Sequence, residues 1–237
     1  MDMLTHLANH YATDKGTVEK SGDGEGDRYS PHCFTPFYWE HLKEYRLDHR
    51  KVLEVGVLEG RSLLMWQDFF PHAMIYGIDT DFQRMADHFK KSHFARTDTA
   101  RLKLYRADQS KREELREFFD VFGYDFDMII DDGGHRMDQQ QICFASCFDA
   151  LLPGGVYILE DLHTSNFKGE YGVKDDLSNT TLNMINTFVQ TGEIKSEYLT
   201  EEECKNLTSS IEHIHVFDKD GDGKHMTCVV YKKGLIS

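Results

Sequence analysis

The chain has 237 residues, 40% of them hydrophobic, which suits one α/β domain with a sizeable core and excludes a disordered chain. Asp and Glu number 41 against 27 Lys and Arg, a formal charge of −14 that argues against a nucleic-acid backbone or an anionic membrane surface as partner. No stretch is apolar for long enough to span a bilayer, and the five cysteines form no CxxC pair, so reduced thiols and a cytoplasmic protein are expected.

The first 50 residues differ from the rest, and residues 1–50 are expected to form an N-terminal helical and loop extension of a domain at 51–237. Within it "TVEKSGDGEGDRYSPHC" is a polar, glycine-rich loop. "FTPFYWEHLKEY" has helical period and should bury one face, as core or as a subunit contact in a homo-oligomer.

From Lys51 short apolar strands alternate with amphipathic helices. Strand "KVLEVGV" precedes helix "GRSLLMWQDFF", and "MIYGIDT" precedes "FQRMADHFKK". "RLKLYRAD" precedes "REELREFFDVF", "FDMIIDD" precedes "MDQQQICFASCFDALL", and "GGVYILED" is a fifth strand. Such alternation predicts βαβ units, right-handed crossovers and a doubly wound, mostly parallel sheet. Ligands then bind at the carboxyl ends of the strands, near the switch point. After Asp161 a long polar loop over 163–180 is a lid candidate, with Tyr171 a possible acceptor contact. "TTLNMINTFVQTG" reads as a helix. "IEHIHVF" and "HMTCVVYKK" read as strands flanking "DKDGDGK". That turn resembles a calcium loop, but Val229 stands where the twelfth-position glutamate should, so a hairpin is expected.

Acids and glycines gather at the predicted strand ends. "LEVGVLEGRS" carries Glu54, Gly56 and Gly60 at a strand–helix junction, where glycine lets a ligand approach backbone N–H groups. It reads GxxxG rather than the GxGxxG of dinucleotide sites, and its preceding acid suits a ligand with a positive centre. Asp79 closes the second strand, where a carboxylate can accept both hydroxyls of a ribose. Asp108 closes the third, either as an acceptor for an adenine amine or as a helix cap. Three acids at adjacent strand ends favour a nucleoside site.

The fourth and fifth strands end in Asp131, Asp132 and His135, and in Glu160 and Asp161. Neighbouring strand ends lie about 5 Å apart, so these carboxylates would repel or take up protons. A hard divalent cation such as Mg²⁺ removes the conflict, with Asp132, Glu160 and Asp161 as ligands and Asp131 ending its strand. A neutral imidazole beside it can accept a proton from a hydroxyl, and His135 is the candidate base with His163 its rival. The residues alone do not choose between Mg²⁺ and Mn²⁺.

In order, "YATDKGT", "LEVGVLEGRSLLMW", "GIDT", "ADQS", "IIDDGGH" and "GGVYILEDLHTS" resemble the class I S-adenosylmethionine-dependent methyltransferases of the macrocin and mycinamicin O-methyltransferase type. The resemblance runs from about Tyr11 to Ser165; the family more often has serine at the position of Gly134. It implies a Rossmann-like sheet of seven strands with an antiparallel C-terminal strand. It also implies a Mg²⁺-dependent transfer of methyl from S-adenosylmethionine to a small-molecule hydroxyl, most often on a sugar of a natural product. By position it makes Asp132, Glu160 and Asp161 metal ligands and His135 the base. Glu54, Gly56, Gly60, Asp79, Asp108 and Gln109 fall on the cofactor side, with Ser62 near the methionine part. The resemblance also implies that Thr13, Asp14 and Lys15 lie close to the cofactor. Two other readings compete: a nucleotide-using enzyme of different chemistry, and a catalytically silent scaffold on the same fold.

Overall fold

Alternate residues of the central strands face opposite ways, and here both ways lead into hydrophobic core. Val52, Met128, Ile130, Val156 and Ile158 pack into one core, whereas Leu53, Val55, Ile129, Tyr157 and Leu159 pack into the other. A sheet buried on both faces needs helices on both faces, and the sequence supplies them. The computed structural model describes residues 1–21, 28–29, 31–91 and 99–235.

The sheet consists of β3 (Lys51–Val55), β4 (Met74–Asp79), β5 (Leu102–Arg106), β6 (Phe126–Asp131), β7 (Leu151–Leu159), β8 (Ile211–Asp218) and β9 (Met226–Lys232). Their order is β5-β4-β3-β6-β7-β9-β8, with β9 antiparallel to both neighbours and the other pairings parallel. The expected Rossmann-like sheet is therefore present. The order reverses between β3 and β6, which sets the switch point there.

Helices α3 (Arg61–Phe69), α4 (Gln83–Lys91), α5 (Arg112–Phe122) and α6 (Met137–Phe148) make the crossovers. Helix α6 was expected to continue through Leu152, but it ends at Phe148 and Leu151 already pairs with Phe126 in the sheet. The C-terminal part adds α7 (Thr181–Thr191) and α8 (Glu201–Ser210). Helix α8 escapes sequence reading because only Leu207 on it is buried; its start is instead fixed by a Thr200–Glu203 capping box. The turn between β8 and β9 is the expected hairpin, closed by Gly223 N–H donating to Asp218 Oδ2 at 3.0 Å.

In the extension, α1 (Met3–Tyr11) is capped by Asp2, which accepts from Thr5 N at 2.7 Å. Strands β1 (Lys20–Ser21) and β2 (Arg28–Tyr29) pair across the predicted glycine-rich loop, of which residues 22–27 and 30 lie outside the described residues. In α2 (Thr35–Leu42) Tyr38 and Leu42 are fully buried, as is Phe34 before it. The aromatic face of "FTPFYWEHL" is thus core: these residues share one cluster with Leu4, Ala8, Trp66 and the sheet. The five cysteines are unpaired, and Cys143 and Cys147 are buried on α6 as expected. Among the described residues no helix is long and apolar enough to cross a membrane.

Candidate active site

The switch point is built from a backbone contact. Asp132 N–H donates to Val55 O at 2.8 Å, which draws the "DDGGH" turn against the glycine loop. Gly56 has φ +89°, and a Cβ there would meet Asp132 O at 2.0 Å. Glycine is required at that position on both counts.

Beside this contact opens a cavity of about 270 Å³ lined by Gly56, Asp79, Asp108, Gln109, Gly133 and Gly134, among others. Four of the expected cofactor residues therefore share one pocket at the strand ends. Asp79 also shapes its wall: Oδ2 accepts from Val57 N at 2.8 Å and Leu58 N at 3.1 Å. Asp108 is not the cap of α5, whose N-cap is Lys111; it closes the turn before it, accepting from Ser110 N at 2.9 Å and Ser110 Oγ at 2.7 Å. Despite burial, those bonds hold its carboxyl below the usual range.

Gln109 braces the opposite wall. Its Nε2 donates to Asp131 Oδ1 at 3.0 Å, and its Oε1 accepts from Gly134 N at 2.6 Å. Asp131 is buried on the side of Tyr157, whose hydroxyl donates to it at 3.3 Å. Burial pushes its carboxyl up to about 6. It ends the strand, as expected, and its Oδ1 also accepts from Gly133 N at 3.3 Å.

The other cofactor candidates lie outside the pocket lining. Gly60, φ +75°, is the N-cap of α3 and packs on Met85 and Phe89. Ser62 Oγ donates to Glu54 Oε2 at 2.8 Å, and both residues are buried. Thr13 is buried with no partner for its hydroxyl among the described residues, and Asp14 precedes the buried Lys15.

Strand parity brings the acids together. Glu54, Asp132 and Glu160 continue the series of Val52, Ile130 and Ile158, so they face the core that the N-terminal segment covers. There Lys15 Nζ donates to Asp132 Oδ2 and, at 3.0 Å, to Glu160 Oε2, with Glu54 Oε1 at 3.8 Å. Burial raises the Glu54 carboxyl to about 7 and the Glu160 carboxyl well above its usual range, and in both Lys15 opposes the rise.

Asp132, His135 and Asp161 each present a ligand atom, all within 4.8 Å of one another. His135 Nε2 lies 3.2 Å from Asp161 Oδ2. Both residues have φ +56°, a left-handed conformation that costs non-glycine residues of order 1 kcal/mol or more and clusters at functional sites. Thr164 Oγ1 ties this turn down by donating to His135 O at 3.2 Å. Burial raises the Asp161 carboxyl to about 7, with His135 opposing.

Sequence reading missed His32 and His225. Their rings and that of His163 form a wall, with centroids 4.9 to 6.2 Å apart. His32 Nδ1 and His163 Nδ1 approach Asp161 Oδ1 at 3.5 and 3.7 Å. Burial pushes both imidazoles down to about 4. No local signal marks these residues, because the wall is assembled from three distant segments.

No protein-family model matches the chain. It is 35% identical over 167 residues to mycinamicin VI 2''-O-methyltransferase of Micromonospora griseorubida, covering 67% of this chain and 39% of that protein. To demethylmacrocin O-methyltransferase of Streptomyces fradiae it is 32% identical over 202 residues, 79% of this chain and 47% of that protein. The resemblance read from the motifs holds. This chain spans less than half the length of either relative. Among solved structures, MycE methyltransferase of the mycinamycin pathway, in complex with Mg and SAH, superposes with a TM-score of 0.72 at 26% identity. The match covers 98% of this chain and 55% of that one.

Proposed function

We propose that this chain carries a Mg²⁺-dependent O-methyltransferase that moves the methyl group of S-adenosylmethionine to a small-molecule hydroxyl, a sugar hydroxyl of a natural product or glycoside. The observation that carries the reading is the Asp132–His135–Asp161 cluster beside a cavity at the switch point. The relatives' names, which specify O-methylation of mycinamicin VI and of demethylmacrocin, support the acceptor class. The five free thiols support a cytoplasmic site of action.

The residues fit a divalent cation. Among the described residues, Glu160 Oε1 and Asp161 Oδ1 are buried oxygens that accept no hydrogen bond, next to the partly exposed Asp132. Unsatisfied buried acceptors are costly, and a cation answers that cost. Asp132, Glu160 and Asp161 would hold it; it would make an acceptor hydroxyl easier to deprotonate and fix its position. The pocket formed by Gly56, Asp79, Asp108 and Gln109 would take the nucleoside of the cofactor, whose sulfonium supplies an activated methyl group.

His135 accepts the hydroxyl proton through Nε2, and Asp161, 3.2 Å away, stabilises the imidazolium that forms. His163 is the weaker base, because burial, with His225 and His135 nearby, holds its imidazole at about 4. Proton transfer to a group of such low basicity has little driving force near neutral pH. His163 instead fits a place on the acceptor wall with His32 and His225.

Calorimetry of S-adenosylmethionine and S-adenosylhomocysteine binding, with Mg²⁺ and then with EDTA, tests this reading. Binding in both conditions is expected, since the pocket and the cation site are adjacent but separate. Absence of binding in both would overturn it.

A further inference from the structure

Lys15 is among the largest fully buried side chains of the protein, at 1% exposure. A lysine ammonium leaves water only where carboxylates replace its hydration. Here it donates to Asp132 and Glu160 and stands 3.8 Å from Glu54. Its backbone is pinned on both sides of the ammonium: His32 N donates to Asp14 O at 2.8 Å, and Thr35 N donates to Lys15 O at 3.1 Å. These bonds deliver the charge between Glu54, next to Ser62 at the start of α3, and the two acids beside Asp161.

The single ammonium does not saturate the cluster. Among the described residues, Glu160 Oε1 and the Glu54 Oε1 that faces Lys15 at 3.8 Å are buried and accept no hydrogen bond of ordinary geometry, although the Tyr38 hydroxyl and the Trp66 indole lie near these carboxylates. Glu54, Asp132, Glu160 and Asp161, with Asp14 close by, outnumber the one positive charge of Lys15, so a divalent ion adds positive charge where acids are still in excess.

We infer that Lys15 is a built-in cation of this site: it holds Asp132 and Glu160 in place without metal and weakens the grip on a divalent ion that must share their oxygens. The inference rests on the metal reading above. Lys15 thereby acts as a positioning residue, linking the acid behind the glycine loop to those on the cation side. Even at the dielectric constant of water, one unit charge about 5 Å from a divalent ion changes its affinity by about tenfold.

Titration calorimetry with MgCl₂ and MnCl₂ on the full chain, native, Lys15→Met and Lys15→Arg, tests it. Lys15→Met is expected to bind both ions about tenfold more tightly. Lys15→Arg keeps the charge and should stay within about threefold of native, an outcome that a purely structural role would not produce. The metal-free melting temperature of Lys15→Met should fall, with Mg²⁺ restoring more of it than Mg²⁺ adds to the native protein. Where Lys15→Met is unfolded without metal, refolding on adding Mg²⁺, read by circular dichroism, supports the inference; no refolding at any Mg²⁺ concentration overturns it. Native binding with unchanged or weaker affinity in Lys15→Met overturns the inference and leaves the methyltransferase reading standing. Binding by Lys15→Met alone supports the inference and removes Mg²⁺ dependence from that reading; binding by neither protein overturns both.

Discussion

A Cβ placed on Gly56 would sit 2.0 Å from the carbonyl oxygen of Asp132. The glycine loop after β3 and the acid turn after β6 are thus one backbone-to-backbone contact, and pocket and cation site share a wall. Any movement of the loop is passed to Asp132 without an intervening side chain.

Gly56→Ala should therefore be far more damaging than Gly60→Ala. At Gly56 the obstacle is backbone; at Gly60 it is the flexible side chain of Met85, 3.0 Å from an added Cβ. We expect Gly56→Ala to cost roughly 3 kcal/mol or more and Gly60→Ala about 1 to 2 kcal/mol. Urea unfolding of both variants checks the order; equal costs would refute the close-contact argument.

Gln109→Ala removes both the donor to buried Asp131 and the acceptor for Gly134 N. Stability should drop by roughly 1–3 kcal/mol. Because the same amide aims the turn that carries His135, kcat should fall further than the cofactor's Kd rises. A loss confined to cofactor binding would mean that Gln109 serves only the pocket.

His135→Gln and His163→Gln separate the two candidate bases. The first should lower kcat by about 10²- to 10⁴-fold with S-adenosylhomocysteine affinity unchanged. The second should act mainly on acceptor KM, since His163 lies on the wall with His32 and His225. The reverse pattern would reassign the base.

His49 predicts a pH dependence remote from the site. Its ring stacks between Tyr45 and Phe70, at centroid distances of 5.3 and 5.0 Å, and its buried Nδ1 has no hydrogen-bond partner among the described residues. Burial pushes its imidazole from 6.5 down to about 4, although Asp127 and Asp48 oppose this. The unfolded chain takes up the proton first as pH falls. The stability is therefore complete above about 6.5 and is lost towards 4, by up to about 3 kcal/mol. His49→Phe should remove about one proton from the difference between the two states, flattening the fall in unfolding free energy between pH 7 and 4.5. An unchanged slope would count against a neutral buried imidazole.

The order of strands and helices was legible because it is written in short-range periodicity: period two with both faces apolar, then amphipathic helix, repeated. Helix α8, with one buried residue, lacks that pattern and was not visible. The strand-end acids were equally legible, since in a parallel sheet consecutive strands must end on the same edge. By itself the sequence determined the sheet, its ligand-binding edge and the clustering of acids with His135. Only the tertiary structure decided which charges meet. It seated Lys15 between Asp132 and Glu160 across more than a hundred residues and turned His32 and His163 toward Asp161, with His225 packed against both rings. The reason is physical: a strand's alternation fixes which face a side chain takes, but the partner on that face comes from whatever distant segment packs there.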